Sequence, residues 1–255
     1  MFRGVPMTRL LLGFVLALLM PSQGWGAITH IQSKANSTGT TSAASVAVTL
    51  DAVVTSGNAV LIFANGDNQT LTDDKGNAYS VTASYSVNEK LYHLSNITNA
   101  PITFTLSVSP NDTFLGIVVH EINAPGGPVV LLQQVKNAQT APGTGADAVT
   151  STAITPGVDG AYIFGLAVDS SNTRTAPQFT AGTSPNAFTK AAETGTAGVP
   201  GELCLESEYF VQTTNASIAA TFTFAHATDN TIAFVSAWTV RPPVQSMGWL
   251  PMVLP

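Results

Sequence analysis

The sequence predicts an all-β protein, a duplicated antiparallel β-sandwich whose two related halves are Ig-like or jelly-roll-like. Three observations carry that expectation. Only 9% of the 255 residues are charged, far below the ~25% usual in soluble domains, so Thr, Ser, Asn and Gly must cover the surface. Thr suits an exposed strand, where its branched carbon packs on the pleat and its hydroxyl meets water. Apolar residues nowhere recur convincingly at the helical period, and Gly and Pro interrupt the chain too often for helices. Finally, residues 56–64 (Ser-Gly-Asn-Ala-Val-Leu-Ile-Phe-Ala) are echoed by residues 156–167 (Pro-Gly-Val-Asp-Gly-Ala-Tyr-Ile-Phe-Gly-Leu-Ala), with the same turn, Ile-Phe pair and small-residue exit.

Residues 1–26 read as a secretory signal peptide. Arg3 and Arg9 have no acidic neighbour, residues 10–20 are uninterruptedly apolar, and small residues precede a cleavage point after Gly26. The apolar run is shorter than the ~20 residues that a bilayer span needs, so no transmembrane segment is expected in the mature chain. Its location is expected to be extracellular or at the cell surface, with the periplasm as the alternative. Removing this segment leaves 7 basic against 15 acidic residues, a formal balance of −8. Nucleic acid is therefore excluded as a partner, because phosphate neutralisation needs a basic face. The single Cys204 permits no intramolecular disulfide; flanked by Leu203 and Leu205, it reads as a small buried hydrophobe.

Along the mature chain, residues 45–50 alternate with period two, as a half-buried strand does. Residues 55–58 turn the chain into 59–64, whose continuous apolar character predicts a strand covered on both faces. The Asp-Asp-Lys-Gly-Asn run at 73–77 is expected to close a hairpin, with Gly76 taking the positive φ. Further strands are expected at 80–86, 90–94 and 102–108, then a turn at 110–112 and a strand at 114–122. The first half thus spans 27–124, a Pro/Gly hinge 125–128, and the second half 129–243, followed by an apolar tail at 244–255. In the second half, 99–104 is answered by 215–222 and 114–122 by 232–240, the offset growing through an insertion expected as a surface loop at 181–201. Two closely packed sandwiches are the preferred arrangement, one larger sandwich the rival. Phe63 and Phe164 are expected at equivalent core positions.

The run 57–63, then 71–79 (Leu-Thr-Asp-Asp-Lys-Gly-Asn-Ala-Tyr), Lys90-Leu91-Tyr92 and Val118-Val119-His120-Glu121-Ile122 resembles a secreted bacterial and phage-type β-sandwich surface module. Such modules show a Gly-Asp strand entry, a V-T-D-x-x-G-N-x-Y pattern and a closing E-Y-S-G strand end. The resemblance covers most of residues 45–240 and implies a surface, adhesive or carbohydrate-associated building block. Asn58 departs from the common Asp, and Ile122-Asn123-Ala124 from the Tyr-Ser-Gly end.

Asp73, Asp74 and Asn77 gather three oxygen-bearing side chains around Gly76, a calcium candidate set against an ordinary Asx-rich turn. The histidines His30, His93, His120 and His226 fall in no zinc spacing; His120 and Glu121, adjacent on a strand, must point to opposite faces. No nucleophile elbow or phosphate loop exists, so no catalytic residue is assigned. Tyr79 and Tyr85 are the candidate sugar platform, since sugar binding calls for exposed rings, whereas Trp238 lies in a core-like strand. The tail 244–255 is a candidate self-association strand. The expected function is that of an exported, non-catalytic surface, adhesive or structural protein, partnering an extracellular or cell-surface protein or glycan. A carbohydrate-binding accessory module is the first alternative and a secreted hydrolase with a hidden site the second.

Overall fold

The computed structural model describes residues 27–125, 127–139, 148–169, 179–183, 186–194, 203–224 and 231–241. The expected signal segment 1–26, the tail 244–255 and His226 lie outside the described residues. The protein is all-β, as the composition predicts. The first eight strands are β1 (Thr29–Ser37), β2 (Ala43–Thr49), β3 (Ala59–Asn65), β4 (Thr70–Asp73), β5 (Ser80–Ser84), β6 (Glu89–Leu94), β7 (Thr103–Asp112) and β8 (Gly116–Asn123). The next eight are β9 (Val129–Gln139), β10 (Ala148–Thr150), β11 (Ala161–Asp169), β12 (Phe179–Ala181), β13 (Thr189–Glu193), β14 (Cys204–Gln212), β15 (Thr221–Phe224) and β16 (Thr231–Val240). Among the described residues no helix is long and apolar enough to cross a membrane.

Four antiparallel sheets result. The first half forms a five-stranded sheet in the order β1-β8-β3-β6-β5 and a three-stranded sheet β2-β7-β4; the second forms β9-β16-β11-β14-β13 and β10-β15-β12. Adding eight to each first-half label yields the second half, so the duplication holds strand for strand. Phe63 sits on the central strand β3 opposite Val118, and Phe164 on the central strand β11 opposite Ser236. Both belong to the same buried cluster, which makes them the equivalent positions that the echo predicts.

Side-chain parity defines the layers. On β3, Leu61 and Phe63 point into a central cluster shared with Tyr162, Phe164 and Leu166 of β11, while Val60 and Ile62 point into a core with Val46, Val48, Phe104 and Leu106. On β11, Ile163 and Ala167 face a third core with Val149, Phe222 and Phe224. The five-stranded sheets therefore pack face to face, each capped on its far side by a three-stranded sheet. This four-layer stack explains the unbroken apolar run of 59–64, since neither face of β3 reaches water. Phe63 packs on Phe234 across the middle at 5.3 Å between ring centroids. Where β8 approaches β14, Gly116 leaves room: a Cβ there would stand 2.5 Å from a methyl of Leu205.

Three local expectations change. The run 71–79 is not a hairpin, because β4 pairs with β7 while β5 pairs with β6; the turn carries the chain from the outer sheet to the inner one. Residues 110–112 continue β7 rather than turning. Within the expected loop 181–201, Thr189–Glu193 forms edge strand β13 against β14, because Ala192 finds a buried seat there. The connection expected to hinge is held at its C-terminal end. The Ser95 hydroxyl accepts from Val129 N–H at 3.0 Å and donates to its carbonyl at 3.3 Å, and Arg241 N–H donates to the Pro128 carbonyl at 2.7 Å.

Because the central core belongs to both halves, Phe63→Ala and Phe164→Ala should each cost about 3–5 kcal/mol. Urea unfolding should remain one transition with a lowered midpoint; two transitions, only one of which moves, would show that the halves are independent.

Candidate functional site

The central core is not wholly apolar. His120 of β8 is fully buried, with Nδ1 3.1 Å from the Tyr162 hydroxyl of β11 and Nε2 2.9 Å from the Ser207 hydroxyl of β14. Ser207 also accepts from Ala192 N–H at 3.1 Å and donates to the Ala192 carbonyl at 3.3 Å. A hydroxyl holds one proton and two lone pairs, so Ser207 has one lone pair left for His120 Nε2–H, and Tyr162 donates to Nδ1. The neutral imidazole satisfies every partner. His30 of β1 stands edge-on to His120 at 5.2 Å and lies flat against Tyr209 at 4.2 Å. Burial lowers the pKa of His30 to about 4 against the opposing pull of Glu121. His120 is held well below the usual range by burial first and by His30 second.

A serine 2.9 Å from an imidazole has the separation of a nucleophile and its base. Here the third member is a tyrosine rather than a carboxylate, and both His120 and Ser207 have no exposed surface. The pair ties two sheets together. His93 of β6 likewise lies against Trp238, with centroids 5.3 Å apart, and its Nδ1 meets the Thr82 hydroxyl at 2.7 Å.

The buried carboxylates perform similar work. Glu121 points away from His120, as strand alternation requires. Its Oε1 accepts from Thr55 N–H at 2.8 Å and from the Asn58 side chain at 2.5 Å, and its Oε2 from Gln32 at 2.6 Å. It thereby anchors the turn before β3 to β1 and β8. Glu208 of β14 reaches the outer sheet, accepting from Gly182 N–H at 2.8 Å and Thr221 N–H at 3.1 Å. Burial pushes its pKa up to about 8, although both N–H donors pull the other way. Glu89 pairs with Lys136 at 2.9 Å, joining β6 of one half to β9 of the other.

The acidic turn is closed on itself. Asp73 Oδ1 accepts from the N–H groups of Lys75 at 2.8 Å and Asn77 at 3.1 Å; Oδ2 accepts from the Asn77 amide at 2.7 Å and the Tyr79 hydroxyl at 2.6 Å. Burial would raise its pKa, but these bonds outweigh it and leave the carboxyl below its ordinary value. Asp74 Oδ1 accepts from Ile102 and Thr103 N–H, and Oδ2 faces Lys75 at 3.2 Å. The oxygens proposed for calcium thus hold the crossover between sheets. Among the described residues no group of three or more His, Cys, Asp or Glu is placed to hold a metal ion. The two candidate sugar-binding rings do not share a platform. Tyr79 packs into the first sandwich edge-on to Phe104, whereas Tyr85 packs into the central core edge-on to Phe234 at 4.7 Å.

The outward cross-strand ranks of the two outer sheets are neutral and regular. On the first outer sheet, Thr49 pairs with Thr103, and Ala47, Thr105 and Thr72 form the next cross-strand rank. On the second, Thr150 pairs with Thr221, and Ala148, Thr223 and Thr180 form the next rank. The hydroxyls of Thr49 and Thr103 lie 3.1 Å apart and those of Thr150 and Thr221 3.2 Å apart. A separate cleft of about 640 Å³ beside Gly57 is lined by Thr55, Asn58, Asn96, Pro125 and Pro128, also without charge. Sequence reasoning missed both the histidine seam and the matched ranks, because sheet pairing brings them together from distant segments. The chain matches no family model, no curated protein and no solved structure.

Stability should peak near pH 6.5. The lowered pKa values of His30, His93 and His120 mean that below pH 6.5 the unfolded chain takes up protons that the folded chain refuses, for His30 down to about 4, so stability falls as pH falls. The raised pKa of Glu208 has the opposite sign: from 4.5 to about 8 only the folded chain keeps that proton, so stability falls as pH rises. Three histidines outweigh one carboxyl on the acid side, and Glu208 sets the alkaline side. Urea midpoints across this range check it, with His30→Phe flattening the acid limb and Glu208→Gln the alkaline one. Asp73→Ala should lower stability by about 1–3 kcal/mol, equally with and without calcium; a calcium-dependent rise in Tm that this variant abolishes would assign a metal to the turn.

Proposed function

We propose that the chain is an exported, non-catalytic building block of a cell surface or extracellular layer, acting by adhesion or as a structural component. The observation that supports this reading most is the use made of its polar chemistry. His120, Ser207, Glu121, Glu208 and Asp73 are each committed to hydrogen bonds that join strands, turns or sheets. An active site keeps such groups convergent on space that a substrate can enter; here they converge on one another. The outward ranks offer uncharged hydroxyls instead, a surface for contact with an extracellular protein or glycan.

The predicted signal segment and the low charge fit export, and the lone buried Cys204 leaves stability to the three cores rather than to disulfides. The hydrolase alternative has a definite test in the buried Ser207 and His120 pair.

Protein produced from the full chain should collect at the cell surface or in the medium, be accessible to external protease, and retain cells when purified and coated on a plate. Retention in the cytoplasm, or hydrolysis of chromogenic esters or glycosides that Ser207→Ala abolishes, would overturn the reading.

A further inference from the structure

The cleft beside Gly57 lies where three connections meet: the turn 55–58 that opens β3, the segment around Asn96 that follows β6, and the chain beyond β8 at Asn123, Ala124 and Pro125. The first two are tied together, since Gly57 N–H donates to the Ile97 carbonyl at 2.8 Å and Ile97 N–H to the Asn58 carbonyl at 2.9 Å. The bond from the Asn58 side chain to Glu121 fixes how that amide is turned: Nδ2 meets the carboxylate. Its Oδ1 accepts from no group among the described residues, yet is not sealed in, although Asn58 as a whole is only 6% exposed and lines the cleft. Asn96, at a left-handed φ of 52°, and Asn123 add two exposed side-chain amides that bond to nothing among the described residues. A turn at this place can be built without loose amides. In the second half, the turn before β11 uses its polar side chains on itself: Asn215 Oδ1 accepts from Gly157 N–H at 2.9 Å, and Asp159 Oδ1 from Asn215 N–H at 2.6 Å.

We propose that this cleft binds a neutral sugar residue of an extracellular glycan, with the sugar hydroxyls bonded to the amides of Asn58, Asn96 and Asn123. This rests on the adhesive reading above and names its partner. The volume of about 640 Å³ falls within the ~300–1,000 Å³ of small-molecule sites. Asn58 Oδ1 calls for a donor, and a carbonyl so nearly buried costs free energy until it finds one. A side-chain amide carries its acceptor and its donors side by side, the complement of two adjacent hydroxyls on a sugar ring. Ala124, Pro125 and Pro128 supply apolar surface for the C–H face of that ring. The lining holds no charged residue, so a charged sugar finds no counter-ion there, and the net charge of −6 repels an anionic one. A peptide fits less well. Peptide recognition uses an open sheet edge, an apolar groove for a helix or an aromatic-lined groove, whereas this cleft sits at strand ends and has no aromatic ring in its lining. Its walls are already held by the bonds to Glu121, Ser95 and Arg241, so binding orders little of the chain. Without a ring to stack on, one cleft binds in the millimolar range, and many copies on a surface supply the grip.

The test is saturation-transfer NMR on the full chain with the methyl glycosides of glucose, galactose, mannose and N-acetylglucosamine, and with glucuronate and acetyl-tetra-alanine amide as controls. Asn96→Gly keeps the left-handed backbone without steric cost, and Asn123→Ser shortens an exposed side chain, so the double variant should fold with an unchanged Tm. At least one methyl glycoside should receive saturation from wild type. The double variant should lose affinity about tenfold, as the loss of hydrogen bonds from two amides implies. Silence from every glycoside, or equal transfer in the double variant, would overturn the proposal. Transfer to the peptide or to glucuronate with none to the glycosides would assign the cleft to another class of ligand and overturn it as well. Cell retention separates this failure from that of the adhesive reading. If no glycoside binds but wild type still retains cells, only the sugar site falls; if wild type does neither, both fall.

Discussion

The contact between the two five-stranded sheets governs the rest of the molecule. An antiparallel sheet ordinarily turns one face to water and alternates apolar with polar residues; here the inner strands lose that alternation because both faces are covered. β3 and β11 show the consequence, with buried side chains at nearly every position. Separating the halves would expose Leu61, Phe63, Leu91, Phe164, Leu205 and Phe234 together, at about 1.5–3 kcal/mol for each large side chain. Neither sandwich is therefore complete without the other. The end of the connection at Pro128 and Val129 is accordingly bonded to Arg241 and Ser95.

Apolar packing alone would leave the two facing sheets free to choose among several alignments, since leucine and phenylalanine tolerate repacking. The histidine seam removes that freedom. Moving one sheet against the other by a residue pair would separate His120 from both Tyr162 and Ser207, leaving buried polar atoms unpaired at about 1–3 kcal/mol each. The same reasoning applies to Glu208, which binds the outer sheet at Gly182 and Thr221, and to Glu121, which binds the turn that opens β3. Buried polar groups thus add little to total stability and much to its uniqueness.

The architecture was legible where the chain writes one strand at a time. The apolar run at 59–64 and its echo at 161–167 stated, without any structure, that a doubly covered strand occurs twice. Asp73 read correctly as a turn residue but not as a crossover, because Asx-rich turns bridge sheets as readily as they close hairpins and only pairing distinguishes the two. β1 is spelled by Thr, Gln, Ser, Lys and Asn and lacks a strong pattern, since as an edge strand it buries only part of each face. The seam was invisible for a different reason. His120 and Ser207 are 87 residues apart, and nothing local to either announces the other.

Duplication also explains an asymmetry at the centre. When two copies of one sheet face each other, equivalent positions share the same gap, and large side chains on both would overfill it while small ones on both would leave a void. Phe234 fills the space before Phe63, whereas its equivalent Gly116 yields to Leu205; Trp238 covers His93, whereas its equivalent His120 bonds to Tyr162. At these positions the shared gap requires the copies to differ, whereas Phe63 and Phe164 stay alike in the same core.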